Sequence, residues 1–194
     1  MILTLTVNPA IDRNVTADRL VFEDRAYILA ESQSAGGRGI NASCVIHSFG
    51  GPTAAIAPCG GSSGARFEQL LAGCGFPVHV VRIGNEVRRN LTITDKTGLT
   101  VKLNELGPPM TRTELSAVEA MVHAKLAGAS WLLICGSLPP TVPSGFYSGL
   151  LETARKRGVR TLLDTDGDPL REGVEAGPTV VAPNQQEAER LLNR

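Results

Sequence analysis

The run Ala35-Gly36-Gly37-Arg38-Gly39-Ile40-Asn41 is the densest chemical constellation in the sequence. Glycines let a backbone turn its N–H groups toward a ligand, and a helix starting here adds partial positive charge at its N-terminus. An anion or a polyol suits such a cradle. The run lacks the Gly-Lys-Ser/Thr ending of a Walker A loop. Nor is it a dinucleotide fingerprint, which should follow the first strand, where this chain has Asn8-Pro9. An ordinary glycine-rich helix entry has the same composition, so locally both readings stay open.

Asn8-Pro9-Ala10-Ile11-Asp12 puts a carboxylate just beyond the first strand's carboxyl end, where open α/β sheets bind ligands. A carboxylate accepts hydrogen bonds from two vicinal hydroxyls, which suits a sugar; Asp12 is equally suited to forming a turn. Arg88, Arg89 and Lys102 lie on two arms of an expected hairpin, with Arg25 on an earlier polar strand. Together they would grip a phosphorylated ligand, because guanidinium groups hold phosphate oxygens bidentately; taken singly, each reads as part of a solvated face. Asp164 closes a buried strand and is followed by Thr165-Asp166-Gly167. Carboxylates so placed hold Mg²⁺ through water. Asn184-x-x-Glu187 could do the same beside nucleotide phosphates, and it is also a helix-capping signature. His47, His79 and His123 are scattered, with no nucleophile at triad or metal spacing. Cys44, Cys59, Cys74 and Cys135 form no C-x-x-C pair and read as small core hydrophobes in a reducing compartment.

The elements that must position these groups are legible from periodicity. Strands are expected at 2–7, 25–33, 53–57, 78–81, 131–135, 160–164 and 179–182, with a hairpin of 87–95 and 99–105 around Lys96-Thr97-Gly98. Helices are expected at about 40–49, 65–72, 143–157 and 185–193. Another follows the capping box Thr111…Glu114, with Leu115, Val118, Val122 and Leu126 on its apolar face. Strands alternating with helices imply a doubly wound, mostly parallel sheet. Segments at about 12–33 and 86–107 break the alternation and predict a small separate β lid over the carboxyl ends of the main strands.

Composition narrows the classes further. The 194 residues are 42% hydrophobic and 4% aromatic, with 19 basic against 19 acidic residues. Zero net charge provides no broad field for nucleic acid or an anionic membrane, so local clusters must do any anion binding. No apolar run approaches the roughly 20 residues that span a bilayer. The start, Met1-Ile2-Leu3-Thr4-Leu5-Thr6-Val7, has neither the basic region nor the long apolar core of a signal peptide, so a cytoplasmic location is expected.

Six segments in order resemble the PfkB-type carbohydrate kinases of ribokinase-like fold, and are most similar to their 1-phosphofructokinase and tagatose-6-phosphate kinase branch. They are Thr6-Val7-Asn8-Pro9-Ala10-Ile11-Asp12, Gly36-Gly37-Arg38-Gly39-Ile40-Asn41, Lys102-Leu103-Asn104-Glu105-Leu106-Gly107-Pro108, Cys135-Gly136-Ser137-Leu138-Pro139-Pro140, Leu163-Asp164-Thr165-Asp166-Gly167 and Pro183-Asn184-Gln185-Gln186-Glu187. The resemblance implies ATP-dependent phosphorylation of a sugar phosphate of the fructose 1-phosphate or tagatose 6-phosphate type. By that analogy Asp12, Gly37, Arg38, Asn41 and Ser137 line the sugar, and Arg25, Arg89 and Lys102 face its phosphate. Asp164, Asn184 and Glu187 organise Mg²⁺ and the ATP phosphates without forming a metal site from protein groups alone. The lid often builds a dimer interface in this family, which makes a homodimer a candidate assembly.

Three departures accompany the likeness. Arg38 stands where the family usually has Lys, and Leu106 where the lid motif usually has Pro. The family's Gly-Ala-Gly-Asp motif, which supplies the catalytic base, occurs nowhere in these residues. The expectation is therefore an incomplete ribokinase-like α/β domain over 1–194, lacking the C-terminal part of the fold and inactive alone. Two other functions share the cradle: a non-catalytic phosphosugar-binding or interaction module, and a kinase of an unphosphorylated sugar or nucleoside. The basic flap disfavours the last of these.

Overall fold

A computed structural model describes residues 1–192. In chain order its elements are β1 (Ile2–Leu5), β2 (Ala10–Ala17), β3 (Ile28–Gly36), α1 (Arg38–Ser48), β4 (Thr53–Gly60), α2 (Gly61–Ala72), β5 (Val78–Ile83) and β6 (Arg88–Asp95). They continue with β7 (Thr100–Asn104), α3 (Arg112–Leu126), β8 (Trp131–Cys135), α4 (Phe146–Lys156), β9 (Arg160–Asp164), α5 (Gly167–Glu175), β10 (Val180–Val181) and α6 (Gln185–Leu191).

Leu3, Thr4 and Leu5 of β1 are all fully buried, as befits a strand covered on both faces. β1 lies inside a six-stranded sheet of order β10-β9-β8-β1-β4-β5, every pairing of which is parallel. Leu3, Leu5 and Ile56 pack with Val118, Val122, Leu126, Tyr147, Leu150 and Leu170, which puts α3, α4 and α5 on one face. Ala57 and Cys59 pack with Ile40, Phe67 and Leu71, which puts α1 and α2 on the other. On that second face a hydroxyl chain links Thr4 Oγ1, Ser43 Oγ and Thr53 Oγ1 at 2.8 and 2.9 Å, so these buried polar groups are all paired.

The lid is a four-stranded sheet of order β3-β2-β6-β7, with β2 and β6 parallel and the outer pairs antiparallel. Its first excursion runs over 10–36, wider than the expected 12–33, and its second over 88–104. Asp12 consequently sits inside a strand, not in a turn, and the polar strand expected at 25–33 is shifted to β3. β2 escapes periodicity because its residues alternate between a polar cleft face and an outer face whose apolar positions are interrupted by Arg13.

Two helices differ from expectation for identifiable reasons. α2 starts at Gly61 and runs through Ser62, Ser63 and Gly64, a stretch that composition marks as loop. At Gly64 a Cβ would lie only 3.3 Å from Cys59 Sγ, so the absence of a side chain lets the helix sit close to β4. α5 contains Pro169 and Gly173, which suppress its sequence signal. Pro169 falls in the first turn, where a missing N–H costs nothing. A Cβ on Gly173 would come within 2.4 Å of Leu163 Cδ2, so this glycine buys close packing on β9. The capping box of α3 forms as expected, with Thr111 Oγ1 accepting from Glu114 N and Glu114 Oε2 accepting from Thr111 N. The final helix is observed as Gln185–Leu191; Asn193, its expected end, lies outside the described residues. Among the described residues no helix is long and apolar enough to cross a membrane.

Candidate active site

Alternation along the lid strands sorts their side chains by face. Asp12 pairs in register with Asn90, and Asn90 with Asn104; Asn14 pairs with Thr92, and Thr92 with Lys102. These two cross-strand rows, with Arg88, form one face. They overlie Thr6, Asn8, Gly37, Arg38, Asn41, Gly136, Ser137 and Asp166 at the carboxyl ends of the main strands and the start of α1. The two surfaces enclose an open cleft of about 560 Å³.

The glycines of the cradle answer to different needs. Gly37 has φ of 130°, a conformation that L side chains rarely adopt, and it turns the chain from β3 into α1. A Cβ on Gly36 would fall 2.1 Å from Asp12 Oδ2, so this glycine makes room for the carboxylate. A Cβ on Gly39 would lie 2.6 Å from Thr6 Oγ1, so α1 can approach β1 only without one. Thr6 Oγ1 accepts from Ile40 N at 3.1 Å and fixes the helix start.

Asp12 Oδ1 accepts from Asn90 Nδ2 at 2.8 Å. Asn8 Nδ2 donates to Leu106 O at 2.9 Å and to Ser137 Oγ at 3.2 Å, tying the lid's return to the β8 loop. Among the described residues, Asn8 Oδ1 and Asn90 Oδ1 are buried with no hydrogen-bond donor. Ser137 is positioned by its neighbour: Gly136 N donates to Asp164 O at 2.7 Å, and the buried Tyr147 hydroxyl donates to Gly136 O at 3.0 Å. Burial pushes the adjacent Cys135 thiol up to about 12, with Asp164 adding to the effect, which leaves it neutral and non-nucleophilic near pH 7.

The cations divide. Lys102 and Arg38 line the cleft, as does Arg88. Arg88 is half-buried, its Nε donating to Asn8 O at 3.2 Å and its Nη1 to Glu105 O at 2.7 Å. Burial lowers its pKa, against the pull of Asp12 and Glu105. Arg89 points to the other side of the lid, 64% exposed and 3.5 Å from Glu86. Arg25 sits in the exposed turn before β3, where its carbonyl accepts from Arg19, and it is not part of the cleft lining. Arg88 displaces Arg89 because β6 has a period of two: polar Arg88, Asn90 and Thr92 share a face, while Leu91 and Ile93 share the other with Arg89. That pattern was available in the sequence. The roles of Asn8, Asn14, Asn90 and Asn104 left no sequence signal, because single amides carry none.

Beyond the sugar side lie the acids. Asp164 ends β9, and Asp166 lines the cleft. Asn184 and Glu187 form the capping box of α6, Asn184 Oδ1 accepting from Glu187 N and Glu187 Oε2 from Asn184 N, each at 2.9 Å. Arg38 donates to Asp164 Oδ1 at 2.7 Å and to Glu187 Oε1 at 3.2 Å, bringing the two acids to one point. Among the described residues no three His, Cys, Asp or Glu side chains are grouped to hold a metal ion by themselves.

A parallel sheet flanked by helices, closed over the carboxyl ends of its strands by a small β lid above a polar cleft, is the ribokinase-like fold of small-molecule kinases. The model of the pfkB family carbohydrate kinases matches residues 5–194, and the chain belongs to that family. It is 32% identical to a 1-phosphofructokinase of Rhodobacter capsulatus, over 100% of this chain and 62% of that protein. It is 28% identical to a tagatose-6-phosphate kinase of Staphylococcus epidermidis, over 100% of this chain and 63% of the relative. The crystal structure of Escherichia coli phosphofructokinase-2 in complex with fructose-6-phosphate superposes with a TM-score of 0.92 at 32% identity, covering 100% of this chain and 64% of that one. The chain spans from half to just under two thirds of the length of the curated relatives it matches.

Proposed function

We propose that these residues form the sugar-phosphate side and the phosphate-handling acids of an ATP-dependent sugar-phosphate kinase. One observation carries the reading: a single cleft gathers Asp12, Gly37, Asn41 and Ser137 with two lid cations, Arg88 and Lys102, beside Asp164 at the end of β9 and Glu187 in the first turn of α6. Asp12 and Asn41, both lining the cleft, suit sugar hydroxyls. Arg88 and Lys102 suit a phosphate already on the sugar, which favours fructose 1-phosphate, fructose 6-phosphate or tagatose 6-phosphate over a free sugar or nucleoside. Arg38 is within reach of both groups of residues.

In the transfer, a sugar hydroxyl oxygen bonds to the γ-phosphorus of ATP, the bond to the ADP oxygen breaks, and the hydroxyl proton passes to a base. No Gly-Ala-Gly-Asp run occurs in the 194 residues. We assign the proton acceptor to residues outside them, and expect these residues alone to give no turnover. The oxygen donors Asp164 and Glu187, drawn together by one guanidinium, fit a Mg²⁺ held through water beside nucleotide phosphates. Bound there, Mg²⁺ would neutralise phosphate charge. ATP and sugar phosphates are cytoplasmic metabolites, which places the reading in that compartment. The outer face of the lid carries exposed Tyr27, Ile28, Leu29 and Leu103, and we assign it to a homodimer contact.

The test is ADP release in a protein that joins these residues to the family's C-terminal motif. Turnover near 1 per second, a kinase-like rate, is expected with at least one of fructose 1-phosphate, fructose 6-phosphate or tagatose 6-phosphate. Tight binding of these sugars with no ADP release would replace the reading with that of a phosphosugar-binding module.

A further inference from the structure

Arg38 begins α1 on the sugar side of the cleft, yet its guanidinium crosses to the acids. Nη1 reaches Asp164 and Nη2 reaches Glu187, residues 126 and 149 positions away in sequence. A planar fork suits this span, because each arm meets a different carboxylate. The Glu187 side chain is 4% exposed and that of Asp164 is 26% exposed, so neither charge is fully solvated. A buried carboxylate stripped of its counter-charge is strongly destabilising. The second oxygen of Glu187 is already committed to Asn184 N, which leaves Oε1 as the oxygen available to a cation.

Those oxygens are the ones the kinase reading hands to a divalent cation. A guanidinium and a hydrated metal cannot both occupy the gap between them. We infer that Arg38 is an internal counter-ion for Asp164 and Glu187, which a divalent cation displaces when nucleotide loads, freeing the guanidinium to face anionic ligand in the cleft. The inference rests on the kinase reading and adds an order to it. In the unloaded protein the acid pair is shielded from free metal, so metal enters with its nucleotide and not ahead of it. A lysine, usual in the family at this position, has a single point donor and would shield the pair less completely.

Thermal melts and Mn²⁺ titrations without nucleotide test this on the chain itself, comparing the native residue with Arg38→Met and Arg38→Lys. Arg38→Met should melt lower without metal, recover as Mn²⁺ is added, and bind Mn²⁺ about 10-fold or more tightly than the native chain, the factor that one lost charge-assisted contact corresponds to. Arg38→Lys should fall between, and decides the matter if Arg38→Met does not fold. Adding Glu187→Gln to either variant should abolish the gained metal response. Equal Mn²⁺ affinities and equal metal-dependent melting shifts in all three proteins overturn the inference. A full-length protein that phosphorylates sugar phosphates yet shows no such difference keeps the kinase reading and loses the counter-ion; one that shows neither loses both.

Discussion

Arg88 and Arg89 are adjacent in sequence and opposite in consequence. Arg88 is half-buried in the cleft wall with its Nε and Nη1 tied to backbone carbonyls, while Arg89 pairs with Glu86 on the outer side of the lid. In a protein that turns over, Arg88→Ala should raise KM for phosphorylated sugars by about 10- to 150-fold, the equivalent of one charge-assisted hydrogen bond. Arg89→Ala should change it little. Kinetics with fructose, fructose 1-phosphate and fructose 6-phosphate check this. If Arg88 only braced Asn8 and Glu105, all three sugars would suffer equally. The residue types of the site were legible in advance: Asp12, Gly37, Arg38, Asn41, Lys102 and Ser137 all line the cleft. What failed was the choice between neighbours, since composition names a cation and only strand parity says which way it points.

Elements with continuous or regularly spaced apolar positions announced themselves, and those with mixed faces did not. β8 and β9 match their expected bounds, β8 as a continuous apolar run and β9 from Thr161-Leu162-Leu163 set between Gly158 and Asp164. β2 was given no bounds of its own within the expected lid segment because of its interrupted outer face, and α5 was missed for its Pro and Gly. The β6–β7 turn was read from Lys96-Thr97-Gly98, but its anchor lies one residue earlier. Asp95 is 7% exposed and accepts from Thr97 N at 2.8 Å, Thr97 Oγ1 at 2.6 Å, Leu99 N at 3.1 Å and Leu20 N at 3.2 Å. The bond from the Thr97 hydroxyl is the largest of the causes that hold its pKa below the ordinary value. A carboxyl group depressed in the folded state stabilises it above the unfolded value, near pH 3.9, and loses that contribution as pH falls through the folded value. Asp95→Asn should therefore melt below the native chain at pH 7, and the gap should narrow below about pH 3.9. Melting curves across pH 2 to 7 measure it; a gap independent of pH would remove the charge from the account.

At the scale of the molecule, the lid has one face for a ligand and an opposite face that the loop between β2 and β3 covers only in part. Val15, Leu91 and Ile93 share the outer side with Ile28, which is 59% exposed, and with Leu103, which is 57% exposed. A patch of this kind favours a partner surface. Light scattering should find the chain associated at micromolar concentration, and Ile28→Asp with Leu103→Asp should return it to a monomer that keeps its melting transition. A native chain that scatters as a monomer at all concentrations would refute the dimer assignment. The overall architecture followed from βα alternation, and the two segments that break it were expected to join in one small sheet, as they do; the parallel sense and register of β2 against β6 were not legible, because nothing local in 10–36 refers to 88–104.

That pairing has a kinetic side. β2 and β6 join as parallel partners, Ala10 against Arg88 and Ala17 against Asp95, so every contact between them closes a long stretch of chain. Non-local pairings of this kind form late, since the entropy of loop closure is lost before any contact repays it. β1 and β8, Ile2 against Trp131, close a longer stretch still, but the ligand cleft lies between the two sheets and needs both in place, so ligand binding cannot precede the main sheet. Trp131, the single tryptophan, sits in that sheet with Arg160 stacked 4.6 Å from its ring centre. On refolding from denaturant, tryptophan fluorescence should recover first, and the ability to bind a sugar phosphate should follow in a separate, slower phase. Simultaneous recovery of the two signals would mean that the lid docks as part of the folding nucleus. With the lag, each molecule passes through an interval in which the sheet is formed and both faces of the lid strands are still open to other chains. Growth temperature and expression rate should then govern the soluble yield more strongly than equilibrium stability does.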